Sequence, residues 1–124
     1  MVEWKGRYEK LLDPEDRPLV VKQAIFFEIR DLGLTAGRYT SPGSFGIHLI
    51  QLSPYLHERE ARETLGHEYA HFVGFLKTGT CGHGKEWRKL MTILGLPPLP
   101  THQLPLYARK VIQGAADRLK EHGR

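Results

Sequence analysis

The run His67-Glu68-Tyr69-Ala70-His71 constrains this chain more than any other stretch. It sits inside an apolar-periodic segment that reads as a helix. Residues four apart on a helix project from one face, one above the other. Two imidazoles at that spacing can share one metal ion, with Glu68 able to reach a water on the same ion. Zinc is the expected metal, because it takes imidazole readily and a catalytic site keeps one position open.

The flanks support a helix. Ser53-Pro54 breaks the preceding segment, and the helix is expected to begin between Tyr55 and Arg59. Glu58, Glu60 and Glu63 lie in its early turns, where acids suit the positive end of the dipole. Ala61, Leu65, Tyr69, Phe72, Phe75 and Leu76 give it a wide apolar surface, as an active-site helix in a small domain requires. Lys77-Thr78-Gly79 closes it with a cation and then a glycine.

Two histidines do not complete a catalytic zinc site; three protein ligands and a water do. The downstream candidates are Cys81, His83 and Glu86. The longer HExxHxxGxxH pattern fails, since Lys77 stands at its last position and an ammonium cannot ligate zinc. His83 is better placed, in a loop whose flanking Gly82 and Gly84 let the backbone turn sharply. Trp87, Leu90, Met91 and Leu94 then mark a second helix, ended by Gly95 and Pro97-Pro98. Cys81 reads as a reduced loop thiol, with a zinc ligand or a blocking thiolate as the alternatives.

The rest of the chain supplies supports. Trp4, Tyr8, Leu11 and Leu12 share a helical face stopped by Asp13-Pro14, so residues 1–15 form an N-terminal docking segment. Asp16-Arg17-Pro18 starts a helix. Val21, Ile25, Ile29 and Leu32 at helical spacing predict that it runs as a core helix over residues 18–32, with Gly33 as its stop. Gly37 to Ser41 and Phe45 to Leu52 are strand candidates, joined by a type II turn centred on Pro42-Gly43. Phe45, Ile47 and Leu49 share one face, and His48 lies on the other with Ile50. His48 reads as a surface or packing residue, not a ligand. Leu96 to Pro105 is a proline-rich connector. Residues 105–121 form a last, basic helix.

The combination is similar to the SprT-like metallopeptidases. The residues that carry the resemblance are Thr64 to His71, then Gly82-His83-Gly84-Lys85-Glu86-Trp87, then Leu90-Met91 and Leu94-Gly95-Leu96. Ile47 to Leu49 and Ser53 to Leu56 look like the family's strand leading into the active-site helix. The similarity spans roughly residues 18–98 by motif order. It implies zinc ligands His67, His71 and His83, and Glu68 as the catalytic carboxylate. It implies an α+β, zincin-like minimal protease domain: a small antiparallel sheet packed against several helices, the HExxH helix among them. In zincins the substrate lies extended along an edge strand, and Phe45 to Leu52 would supply that edge. A single cysteine leaves no zinc ribbon of the kind many SprT-like proteins carry.

At 124 residues one domain is expected over 1–124. One cysteine excludes an internal disulfide framework. Met1 to Glu15 has no signal-peptide core, and no apolar run is long enough to cross a bilayer, so no membrane partner and a cytoplasmic location are expected. Net charge is +4. Much of it sits on the last helix, where Arg109, Lys110, Arg118, Lys120 and Arg124 face Asp117 and Glu121. These cations are candidate nucleic-acid contacts, and DNA a possible partner beside a protein or peptide substrate. The leading expectation is a zinc endopeptidase with Glu68 as general base and acid, with DNA-associated proteins as one candidate substrate. The competing one is a non-catalytic, zinc-stabilised module that binds nucleic acid or protein.

Overall fold

The structure is a computed structural model that describes residues 4–43, 46–98 and 103–122; side chains are described over the same ranges except residues 4–5 and 115–122. The elements in chain order are α1 (Trp4–Leu11), α2 (Arg17–Val21), β1 (Ala24–Ile29), β2 (Gly37–Thr40), β3 (Ile47–Leu52), α3 (Glu58–Thr78), α4 (Lys85–Ile93) and α5 (Leu106–His122). The fold is α+β, with a three-stranded sheet packed on α3.

The predicted helix over residues 18–32 is instead one helical turn followed by a strand. Asp16-Arg17-Pro18 does start a helix, but α2 ends at Val21. Ile25 and Ile29 are four apart, a step that keeps one face in a strand as well as in a helix. β-branched and aromatic residues fill Ala24–Ile29, which favours the strand. Pairing decides the matter: β1 runs parallel to β3 in unbroken register from Ala24↔Ile47 to Ile29↔Leu52. Gly33 then sits in a turn, with φ 66° and its N–H donating to Asp31 Oδ1 at 2.9 Å.

The sheet is mixed, where an antiparallel one was expected. β2 pairs antiparallel with β3, from Gly37↔Leu52 to Thr40↔Leu49. The strand order β1-β3-β2 makes β3 the central strand. Ile47–Leu52 therefore cannot offer the free edge expected of residues 45–52, and the edge strands are β1 and β2. The turn between β2 and β3 also differs from expectation. Gly43 does not adopt a positive φ; Gly46 does, at 67°, and its N–H donates to Gly43 O at 3.3 Å. Phe45 lies outside the described residues, as does His102.

β3 is covered mainly on one face at its start and on both by its end: Ile47 is exposed and Leu49 half-buried, while Gln51 is buried. His48, Ile50 and Leu52 are each about 1% exposed or less and face α3. There they meet Leu65, Tyr69, Phe72 and Val73 in one core with Trp87, Leu90 and Met91 of α4. The middle of α3, Leu65 to Gly74, is buried on all sides. On its third side lies α1, whose Tyr8 ring sits 5.0 Å from that of Tyr69 and whose hydroxyl donates to Arg62 O. Leu12 is buried beside it, but Leu11 is half exposed and leaves the shared face expected of it. The helix stops are as predicted: Gly79 and Gly95 take left-handed φ values of 76° and 73° after α3 and α4. After α4 the chain returns to the strand side, where Thr35 bridges Gln103 and Leu104 N–H donates to Leu34 O at 2.8 Å. Leu104 and Ala108 pack on Ala36 there, which seats α5.

The helix and the edge strand approach closely because one position, Gly37, lacks a side chain. A Cβ at Gly37 would sit 2.5 Å from Thr64 Cγ2 and 3.2 Å from the Gln51 carbonyl oxygen. Backbone cannot yield as a side-chain tip can, so Gly37→Ala is expected to cost about 1–3 kcal/mol of stability through overpacking. Urea unfolding of the variant against the unaltered protein checks this.

Candidate metal centre

Three imidazoles converge beside the middle of α3. His67 and His71 come from consecutive turns of that helix, and His83 from the glycine-flanked loop before α4. The Nε2 atoms form a nearly equilateral triangle: 3.2 Å from His67 to His71, 3.2 Å from His71 to His83 and 3.3 Å from His83 to His67. His67 and His71 are 5% and 7% exposed, and His83 is intermediate.

Hydrogen bonding cannot satisfy this triangle. In a neutral imidazole Nε2 is either donor or acceptor. Around three mutual neighbours at least one pair must then be alike, two N–H groups or two lone pairs facing each other. A shared cation turns all three into ligands and removes the conflict. The edges fit as well: with Zn–N bonds of about 2.0–2.1 Å, tetrahedral geometry separates ligand nitrogens by about 3.3 Å. The donor set and its spacing thus suit a zinc-sized ion.

Glu68 is 1% exposed, and its Oε1 lies 3.9 Å from His67 Nε2. That is too far to replace a ligand and near enough to face what the histidines hold. Glu68, His71 and His83 line a cleft of about 500 Å³. Its opposite wall is Thr35, Gly37, Arg38 and Tyr39, the start of the edge strand β2. Cys81 lies on the same cleft but outside the cluster of ligating atoms. Partial burial and then the charge of Glu68 push its thiol pKa up. Glu86, another third-ligand candidate, turns away and pairs with Lys77.

Trp87, which the sequence offered as a marker of the second helix, holds the centre from below. It is 2% exposed, and its Nε1–H donates to the His67 carbonyl at 3.4 Å. Its ring lies 4.6 Å from His83 and 4.9 Å from His67, both edge-on, and 5.7 Å from His71, stacked. The signal was present in the spacing, since Trp87 follows His83 by four residues at the start of a helix. The His83 backbone is fixed in turn by Arg88 Nε, which donates to its carbonyl at 3.3 Å.

His48 is a packing residue, as expected, and buried more tightly than a surface position would be. Its Nδ1 lies 2.7 Å from the Tyr39 hydroxyl and its Nε2 3.3 Å from Gln23 Oε1. Gln23 Nε2 donates to Leu19 O, which turns Oε1 toward the imidazole. His48 Nε2 is therefore the protonated nitrogen, and Tyr39 donates to Nδ1. The basic residues do not join the centre. Arg109 and Lys110 are exposed on α5 and line none of the cleft. Arg118 and Lys120 belong to the same helix, with side chains outside the described ones. His57 is exposed and stacks on Tyr107 at 3.8 Å.

The sequence model of the SprT-like family matches residues 7–103. The chain belongs to the SprT-like family. No curated protein and no solved structure gave a significant match. The family match runs from α1 through Gln103, wider than the span of 18–98 read from motif order, and it takes in all three histidines, Glu68 and the wall of the cleft. SprT-like membership brings a metallopeptidase-like domain, and the histidine triangle is compatible with it. Among the described residues no helix of this SprT-like chain is long and apolar enough to cross a membrane.

Burial lowers the pKa of His48 below its ordinary value. An unfolded histidine titrates near 6.5, so below that pH the unfolded chain takes up a proton that the folded one resists. Stability from this group is complete above about pH 6.5 and is lost as pH falls through the folded pKa. Urea midpoints measured at about pH 7 and about pH 5 should drop more steeply for the unaltered protein than for His48→Gln.

Proposed function

We propose that this SprT-like chain is a zinc-dependent endopeptidase. The observation that carries the reading is the nitrogen triangle with a buried carboxylate beside it in one open cleft. His67, His71 and His83 would hold zinc, which when bound acidifies a water and polarises the carbonyl of the peptide to be cut.

The chain's own groups supply the proton transfers and the placement. Glu68 accepts the proton of the attacking water as oxygen bonds to the peptide carbon. It then delivers that proton to the amide nitrogen as the C–N bond breaks, so the amine leaves neutral. Its enclosure keeps bulk water from competing for the proton. The substrate backbone lies extended along the free edge of β2, beside the residues that wall the cleft. This assigns to Gly37–Thr40 the role that the sequence suggested for residues 45–52.

A zinc-stabilised module without turnover would favour a closed site with a fourth protein ligand. Among the described residues no further His, Cys, Asp or Glu joins the three histidines, which favours the open, catalytic reading.

The test is the Glu68→Gln variant. It should bind one zinc per chain, as the unaltered protein does, and cut labelled casein at least ~100-fold more slowly, the usual scale for a positioned general base. Cleavage by Glu68→Gln at the unaltered rate would remove Glu68 from the chemistry. No cleavage by zinc-loaded unaltered protein would sink the endopeptidase reading.

A further inference from the structure

His83 reaches the other two imidazoles from a segment with little stiffness of its own. Gly79, Gly82 and Gly84 all lie within six residues, and a Cβ built at any of them meets nothing within 4 Å. Glycine backbone without packed neighbours is the freest kind of chain. His83 is also the least buried of the three histidines. Its place must be set by whatever holds the start of α4, and Trp87 does part of this.

The other fixed point is Lys77. Its ammonium lies 3.2 Å from Asp16 Oδ2 and forms a close ion pair with Glu86 Oε1. Lys77 is in the last turn of α3, Glu86 in the first turn of α4, and Asp16 immediately precedes α2. Three segments thus meet at one cation. The side chains are 22% (Lys77), 29% (Glu86) and 11% (Asp16) exposed, so solvent screens them less than an open surface pair. Asp16 makes no capping bond to its own helix; its carboxylate serves the lysine instead. The Glu86 carboxylate, which accepts from the ammonium, outweighs burial and raises the Lys77 pKa, which keeps the cation charged. Glu86 follows His83 by three residues, less than one helical turn.

We infer that Lys77 is a positioning residue for the metal centre. By gripping Glu86 it fixes the first turn of α4, and so holds His83 Nε2 at its distance from His67 and His71. The inference rests on the metal reading of the three histidines. The Asp16 arm has a separate effect, since it ties the N-terminal helices to the body without bearing on the loop.

The test is a titration of purified protein with Zn²⁺ alone, in competition with a chromophoric chelator. Partners that orient metal-binding imidazoles typically change affinity 10–100-fold, and Lys77 acts one contact further out, so Lys77→Met should weaken zinc binding about tenfold. Lys77→Arg keeps the charge and should stay within about threefold of the unaltered protein. Asp16→Asn breaks only the other arm; it should lower the thermal midpoint while zinc affinity moves by about twofold or less. A folded Lys77→Met that binds zinc as tightly as the unaltered protein overturns the inference. So does a loss of zinc affinity in Asp16→Asn that matches the loss in Lys77→Met, because the lysine would then act through general stability. If Lys77→Met fails to fold, Glu86→Gln is read by the same titration, and unweakened binding there overturns the inference equally. An unaltered protein that binds no zinc removes the metal reading and this inference with it. One that binds zinc without cutting casein removes only the peptidase, and the titration still decides Lys77.

Discussion

Everything in this fold converges on keeping three imidazole nitrogens 3.2–3.3 Å apart inside protein. That arrangement is costly on its own terms, because like must face like around an odd ring of donors and acceptors. It persists because the surrounding structure leaves the rings nowhere else to go. α3 is buried all round over the turns that carry His67 and His71. Trp87 meets all three rings at once. The lysine at the end of α3 ties the next helix to it. A ligand set fixed before any ion arrives loses little ordering entropy when one binds.

The centre was far more legible in the sequence than the sheet. His67 and His71 lie on one helix, where four residues mean one face, so spacing alone aligns them. His83 was found by chemistry and by the glycines around it. What local pattern could not decide was the segment from Pro18 to Leu32. Ile25 and Ile29 satisfy both periods, and only the partner strand separates them. That partner, β3, lies more than twenty residues downstream. Parallel pairing of β1 with β3 is set by the whole fold and leaves no local sign. The same blindness misplaced the free edge, since no run of residues announces whether it is central or peripheral.

Two other departures have different causes. The positive φ between β2 and β3 falls on Gly46, three residues beyond Gly43, because either glycine could carry it and the sequence does not rank them. Tyr39, His48 and Gln23 form a hydrogen-bonded chain across both strands and the end of α2. Each looked ordinary alone, and the chain exists only once the sheet has formed. Arg109 and Lys110, read as candidate nucleic-acid contacts, are exposed on α5 and line none of the histidine cleft.

The brevity of β2 carries a consequence for what such a protein can hold. It has four residues, Gly37 to Thr40. Along any strand, alternate residues turn their backbone groups to opposite sides, so about half of these four address a newcomer. If a peptide lies along it as proposed, a foothold of that size would grip weakly and read almost no sequence. Backbone already engaged in a fold would have little to offer so short a ledge, and an extended, unpaired stretch would suit it better.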